Sequence, residues 1–547
     1  MKINQTFKNL KRVQRIGAVF ASHGFKSVMD DIGLGRLIPF QTPREGTKKL
    51  SNAVRLRMAF EELGTTFVKL GQMLSVRPDL IPREYVEEFR KLQDQVAPLP
   101  VEDIRAEIRK EFDLAPEQIF DWFDASPIGS ASIAQVHRAR LPDGREMVVK
   151  VRRPGADKQV ETDLSILFMI AAMLDHYTDL VTVVDPVAIV EEFASLIRAE
   201  LDFIHEAQNI KRFAENFAGD EHVIVPEVAW EFTGKSVLTM SYLDGIPLSD
   251  AKRLDEKGYD KRTLARLGLD TFFKMVFTHG LFHGDVHGGN LLVMGPDKLG
   301  VIDFGVAGSL DDRLMQEVGS IFISLVSRDF RALARHYLRL GHTSREPVSP
   351  EVFARDLQRV IEPLMGLPLK EINSAELMMA LAGVAQRHRV QLPPQLLLLF
   401  RAAVTLDGVG RELDPDFDVL SAASGYAKAV VIERYKPERL FVDFVTVMRD
   451  LTDLGRDMPS QLHGILKRAE EGGLVVDARL HDKTLLATIR REGWKRVAAI
   501  LTGAGAVTLG IVHTSDSFGF AGLVGLMLLF AGLGGLIAAP LIQGRKG

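Results

Sequence analysis

His283-Gly284-Asp285-Val286-His287-Gly288-Gly289-Asn290, followed by Val301-Ile302-Asp303-Phe304-Gly305, decides how this chain is read. Asn290 stands five positions after Asp285, and Asp303 thirteen beyond that; Lys150 lies upstream in Val148-Val149-Lys150. Asp-Phe-Gly alone arises by chance in many chains, but the combination is far more restrictive. Asn290 and Asp303 offer oxygen ligands of the kind Mg²⁺ takes beside phosphates, and Lys150 offers a cation for the phosphates themselves. Asp285 would face the group receiving a phosphoryl, or an attacking water, and accept or orient its proton. A competing reading makes His283 and His287, four apart, metal ligands on one helical face. That site would need a third strong ligand and a helical backbone, and Gly284, Gly288 and Gly289 argue against a helix there.

The spacing matches the catalytic and metal loops of protein kinases, so the expected ligands are ATP and Mg²⁺ and the expected fold class is α+β, a protein-kinase-like two-lobed fold. Residues 1–124 read as a helical N-terminal extension, 125–425 as the kinase-like domain, 426–493 as a further helical segment and 494–547 as a transmembrane hairpin. Near Phe120 the pattern changes to short apolar strands. Leu141-Pro142-Asp143-Gly144 separates two of them as a hairpin turn, which puts Lys150 near a third strand. Beyond Pro154 the chain turns helical. Glu200-Leu201-Asp202-Phe203-Ile204-His205-Glu206 reads as a continuing helix, and Glu206 is the carboxylate expected to align Lys150; the alternative is an ordinary solvated acidic face. Val237 to Gly245 reads as a strand running into a turn, the place for an adenine-binding hinge at Met240 and Leu243. From Thr263 to about Ser421 helices are expected to dominate.

At 547 residues the chain is too long for one core. A net charge of -4 and a pI near 6.4 give no bulk pull toward nucleic acid. The absence of cysteine excludes disulfides, thiolate metal sites and a cysteine nucleophile. Lys2, Lys8, Lys11, Arg12, Arg15 and Lys26 precede the first acidic residue, Asp30, with Ile3, Phe7 and Leu10 at helical spacing among them. Such a helix could lie on anionic lipid or pack on the protein's own surface. At the other end, no charged residue occurs from Val497 to Val512 or from Phe518 to Ile542. The second run reaches the ~20 apolar residues that a bilayer requires. Arg490, Arg491, Lys495 and Arg496 before the pair, and Arg545 and Lys546 after it, put both ends in the cytoplasm. A buried soluble hairpin is the alternative.

With these features assembled, the chain resembles the aarF/UbiB family of atypical kinases from its N-terminal helices to its C-terminal hairpin. Lys69-Leu70-Gly71-Gln72 matches the family's Lys-x-Gly-Gln motif and Glu200-Leu201-Asp202 its Glu-x-Asp motif. Pro127 to His137 looks like the family's Ala-rich nucleotide loop, which implies cofactor contacts from Ile128, Gly129, Ser130, Ala131, Ser132, Ile133, Ala134, Gln135 and Val136. The resemblance implies a regulatory set of Lys69, Gln72, Glu200 and Asp202, in which the extension meets the two acids, since an unpaired buried lysine would be costly. It also implies ATPase activity more readily than transfer to protein, a role in ubiquinone biosynthesis, contact with lipid or quinone precursors or with other enzymes of that pathway, and a place in the bacterial inner membrane. Departures are Gly129-Ser130-Ala131-Ser132 in place of a fuller alanine run, Gly284 where alanine is common, Gly288 where proline is common, and Ser241 where glutamate is frequent. The short passage from Asp303 to the helix-capping Ser309-Leu310-Asp311-Asp312 leaves no peptide platform of the kind protein kinases carry. A membrane-anchored ATPase or small-molecule kinase, a nucleotide-gated scaffold and a protein kinase are the readings in order of preference.

Overall fold

The Asp143-Gly144 turn folds the chain into a hairpin whose second strand carries Lys150. In chain order the described strands are Trp122–Ser130 (β1), Ala134–Arg140 (β2), Glu146–Arg152 (β3), Val223–Ile224 (β4), Val237–Ser241 (β5), Ile246–Pro247 (β6), Leu281–His283 (β7), Leu291–Gly295 (β8), Lys298–Val301 (β9), Ala307–Ser309 (β10), His342–Thr343 (β11) and Val390–Gln391 (β12). This is a computed structural model; it describes residues 2–26, 50–75, 77, 80–92, 96–177, 185–343, 348–364, 374–414, 417 and 425–427. The chain divides into two units, Met1–Leu440 and Phe441–Gly547, and every described residue belongs to the first.

The upper sheet is antiparallel in the order β1-β2-β3-β5, with Val136 opposite Lys150 and Lys150 opposite Leu238. Its rear face is closed by the helix Val101–Phe112, where Ile104 and Ile108 pack with Val149, Val151 and Val237. The lower lobe holds a second four-stranded sheet, β4-β9-β8-β6, and the pair β7-β10. Helices dominate beyond Thr263, and four short strands that the sequence did not signal lie among them between Leu281 and Ser309. Each is only three to five residues long, too short to impose a period of two on the sequence. Around them the helices Lys261–Phe273, Asp312–Val326, Phe330–Leu340, Pro350–Ile361, Ser374–Arg387 and Pro394–Leu413 share one apolar core.

The described residues of the N-terminal extension are mainly helical, and strand structure begins at Trp122, just ahead of the expected boundary at 125. Its helices Asn52–Leu63, Thr65–Leu74 and Arg83–Phe89 bury Phe60, Phe67 and Phe89 against Val160, Leu164, Phe193 and Ile197 from the helices Ala156–Tyr177 and Pro186–Leu201. The first helix, Lys2–Ser22, packs its later half on the protein itself, with Ile16, Val19 and Ala21 buried. Arg12 bonds both carboxylate oxygens of Asp163, at 2.6 and 2.9 Å, and Thr66 donates to the same carboxylate at 2.7 Å. The side chains of Ile3, Phe7 and Leu10 lie outside the described residues, as does the first acidic residue, Asp30.

The run from Glu200 to Glu206 is two helices rather than one. Pro186–Leu201 ends at Asp202, whose carboxylate accepts from the backbone N–H of Ile204 and caps Phe203–Asn216. The resulting bend separates Glu200, on the first helix, from Glu206, on the second. Among the described residues no helix is long and apolar enough to cross a membrane. The expected segment 426–493, apart from Tyr426 and Ala427, and the expected hairpin 494–547 lie outside the described residues.

Asp163 is fully buried and the Arg12 side chain nearly so. Asp163→Ala strands the guanidinium and should cost about 3–5 kcal/mol, as breaking a buried pair does. The check is the denaturation midpoint of the full chain in detergent, which should fall well below that of the wild type.

Candidate active site

Lys150 is held by two carboxylates brought from opposite sides of the cleft. Its Nζ lies 2.9 Å from each oxygen of Glu206, on the helix Phe203–Asn216, and 3.1 Å from Oδ1 of Asp303, in the loop after β9. The Phe203 ring sits 5.6 Å from the ammonium. Burial alone would lower the lysine, but the charges of Asp303 and Glu206 outweigh it and hold Lys150 above the ordinary lysine value. The Lys150 charge, against an opposing effect of burial, holds Asp303 well below the usual carboxylate range. Glu206 has its pKa pushed up by burial to about 7, against the pull of Lys150. Asp303 has a φ of 60°, a left-handed conformation that costs a residue with a side chain about 1–2 kcal/mol. The bond to Lys150 and the packing of the next residue, Phe304, against Phe213 hold it there.

The loop between β7 and β8 is built around His283. Its Nδ1 accepts from the Asp285 N–H at 3.1 Å, so its Nε2 carries the proton and donates to the Ile302 carbonyl at 3.0 Å. Burial pushes this imidazole below its usual range. Both ring nitrogens are thus engaged in tying the catalytic loop to the metal loop, and Nδ1 of His287 accepts from the Gly289 N–H. The two-histidine metal reading fails for that reason, and the backbone there is a turn, not a helix. Asn290 donates through Nδ2 to the Asp285 carbonyl at 3.0 Å, which leaves its Oδ1 available.

Lys150, Glu206, Asp285, Asn290 and Asp303 all line one cavity of about 1120 Å³. Ile128, Gly129, Ser130, Ala131, Ile133, Ala134 and Val136 line it from the upper sheet, and Met240 and Leu243 line it at the expected hinge. Two residues of the expected nucleotide loop do not. Ser132 is buried away from the cavity, and Gln135 is fully buried, accepting from the Leu99 N–H at 2.8 Å and donating to its carbonyl at 3.3 Å. Alternation along β2 explains Gln135, since its neighbours Ala134 and Val136 face the cleft. Ser241, the hinge departure, accepts through its hydroxyl from the Glu227 N–H.

The extension forms one wall of the same cavity through Lys69, Gln72, Ser75, Phe89, Arg90 and Leu92. Lys69 pairs with Glu200, and Gln72 donates to the Leu92 carbonyl at 3.2 Å. Gly71 between them has a packing reason: a Cβ there would lie 2.3 Å from Leu92 and 2.9 Å from Phe60. Asp202 belongs to the bend described above and not to the cavity wall. A residue that the sequence reading missed completes the site. Arg401, on the helix Pro394–Leu413, donates from Nη2 to Asp285 Oδ1 at 2.6 Å. It lies 116 positions from its partner in an otherwise apolar run, and no spacing signals it.

These elements have counterparts among known proteins. The model of the ABC1 atypical kinase-like domain matches residues 91–337, and that of the UbiB helical domain matches 357–418, which includes Arg401. A protein of Marinobacter nauticus named "Probable protein kinase UbiB" is 34% identical over 471 residues, 84% of this chain and 85% of that one. One of the same name from Xanthomonas campestris pv. campestris is 33% identical over 523 residues, covering 92% and 93%. The chain belongs to the UbiB family. It is thus a kinase-type enzyme of the atypical class, and UbiB membership implies a role in ubiquinone biosynthesis. A solved structure, the complex of Rv3197 with erythromycin from Mycobacterium tuberculosis, is 25% identical and covers 69% of this chain and 96% of that one at a TM-score of 0.48.

Because Glu206 titrates at about 7 folded against 4.5 in its ordinary state, the folded protein binds the extra proton between those values. Stability therefore falls as pH rises from 4.5 to 7 and the Glu206 contribution levels off above that. Glu206→Gln should remove this slope. Melting temperatures of both proteins across that pH range are the check, and parallel curves would refute the assignment.

Proposed function

We propose that this protein binds Mg-ATP in the cleft and turns it over as a membrane-anchored ATPase or small-molecule kinase supporting ubiquinone biosynthesis. The observation that carries the reading is the convergence of Lys150, Glu206 and Asp303 from three separate elements on one point of a cavity that also receives Asp285 and Asn290. Lys150, aligned by Glu206, meets the phosphates. Asp303 has one oxygen on Lys150 and its Oδ2 without a hydrogen-bond donor among the described residues, and Asn290 keeps its Oδ1, so the pair fits a hard cation bound between protein and phosphates. Magnesium there would offset the charge of the β- and γ-phosphates. The adenine end falls among Ala134, Val136, Val148, Met240 and Leu292, and the Leu243 N–H donates to no backbone carbonyl among the described residues, which leaves it for the base. Asp285 takes the proton of the attacking hydroxyl or water.

Lipophilic quinone precursors, or the enzymes that handle them, are the proposed beneficiaries of turnover. The apolar side of the cavity, with Met378, Leu397, Phe400 and Val404, supports that choice, as do the charge-flanked apolar runs near the C-terminus, which suit an anchor in the bacterial inner membrane with the kinase-like domain in the cytoplasm. A peptide acceptor is disfavoured, since Ala307–Ser309 pairs straight back onto β7 and Asp311 caps the next helix. One observation favours the second reading, a nucleotide-gated scaffold: Lys69 and Arg401 are both engaged with carboxylates at the cleft, Glu200 and Asp285. Asp303→Asn should lower Mg²⁺-dependent ATP hydrolysis by the purified full chain about a hundredfold or more, the scale of losing a main electrostatic element of the site. Hydrolysis equal in wild type and variant would defeat the enzyme reading, and a nucleotide-induced melting shift without hydrolysis would favour the scaffold.

A further inference from the structure

We infer that Arg401 is an arginine finger supplied in cis by the C-terminal helical layer, parked on Asp285 before reaction and transferred to the phosphoryl group during it. The inference deepens the ATP-turnover reading and rests on it. Four observations place the guanidinium there.

First, the arginine sits at the attack point. Asp285 is the group that must lie beside the incoming nucleophile, and the nucleophile must lie about 3 Å from the phosphorus for reaction. A guanidinium bonded to Asp285 at 2.6 Å is therefore within a short side-chain swing of the γ-phosphoryl oxygens. Second, the helix that carries it is seated tightly. A Cβ at Gly284 would lie 2.8 Å from both Leu398 methyls, so the glycine lets Leu398 approach the loop backbone. Leu398 and Arg401 are three apart on one helical face, and Gly284 and Asp285 are adjacent, so the contact of Leu398 with the loop lies beside the one that sets the arginine on the aspartate.

Third, its surroundings offer no better resting place. The cavity wall on its own side is apolar, with Met378, Leu397, Phe400 and Val404, but for Thr405, whose hydroxyl donates to the Arg401 carbonyl. Of the cavity's other carboxylates, Glu200 is on Lys69, while Glu206 and Asp303 are on Lys150. A triphosphate entering this cavity is the strongest new anion that Arg401 can meet, and guanidinium binds phosphoryl oxygens through two parallel bonds. Fourth, both Arg401 and Asp285 are one third exposed to the cavity, so the pair is reachable and its separation needs no opening of the core.

The step balances without a further reactant. The nucleophile oxygen forms a bond to the γ-phosphorus as the bond from phosphorus to the β,γ-bridging oxygen breaks, and ADP leaves with that electron pair. The proton of the nucleophile passes to Asp285, freed of its arginine, while Arg401 carries the charge on the transferring oxygens. With water as nucleophile the products are ADP, phosphate and a proton.

The test uses the full chain in detergent, as wild type, Arg401→Gln, Arg401→Lys and Asp303→Asn. Arg401→Gln should lower ATP turnover about a thousandfold, the lower end for such a finger, with Arg401→Lys intermediate. The nucleotide-induced melting shift with MgATP should stay as in wild type. The decisive readout is binding of ADP with aluminium fluoride, which mimics the transferring group: wild type should bind it much more tightly than ADP alone, and Arg401→Gln should lose that preference. Turnover by Arg401→Gln at or above the wild-type rate, or loss of the MgATP melting shift together with turnover, overturns the inference while leaving the ATP reading intact if Asp303→Asn is dead. Wild-type protein with no hydrolysis that Asp303→Asn abolishes overturns the ATP reading and the finger with it.

Discussion

The ammonium of Lys150 between Glu206 and Asp303 is the contact on which the arrangement of this molecule depends. It joins the third strand of the upper sheet to a helix beneath that sheet and to the metal loop of the lower lobe, 56 and 153 residues away. Burial pushes the Glu206 carboxyl up to about 7 while the Lys150 charge keeps Asp303 firmly ionised, so the three groups together carry no surplus positive charge. Such a cluster would not by itself offset the charge of a triphosphate. Further positive charge must enter with the nucleotide or swing in from the walls, and the walls hold Lys69, Arg90 and Arg401.

Those walls come from the two segments that flank the kinase-like lobes. The extension contributes the Lys69 to Leu92 side and is fastened by the Arg12–Asp163–Thr66 network and a phenylalanine cluster as well as by the Lys69–Glu200 pair at the cleft. The helix Pro394–Leu413 contributes the opposite side, apolar but for Arg401 and Thr405. The cleft is therefore enclosed by elements that a peptide-phosphorylating kinase would need to keep clear. Volume above the usual few hundred to a thousand cubic ångströms of a small-ligand site leaves space for more than a nucleotide alone.

How much of this could be read from residues alone follows from how local each feature is. Lys150, Asp285, Asn290 and Asp303 were legible because backbone turns at fixed spacing place them, and Glu206 because it lies one turn into a helix that faces the strand. The bend at Asp202 was missed because a capping aspartate and a helical aspartate look alike inside an amphipathic run, and the three-residue strands around His283 because they are too short for a period. Ser132 and Gln135 carry the right motif but the wrong face of the chain. Arg401 left no trace, since its contact is made by tertiary packing across more than a hundred residues.

Gly284 connects these threads. In the sequence it reads as a departure that removes no charged group; in the fold it is the position where the side chains of Leu398 and Val306 close on the loop, 2.8 Å from where a Cβ would stand. A Cβ there would require the ends of the Leu398 and Val306 side chains to shift, next to the helix that carries Arg401, while the helix touches Lys150, Glu206 and Asp303 through no described hydrogen bond or ion pair. The Lys150–Glu206–Asp303 cluster and the Arg401–Asp285 pair are thus held by separate parts of the chain. The first belongs to the two lobes, and the second to the fit of one helix against one turn.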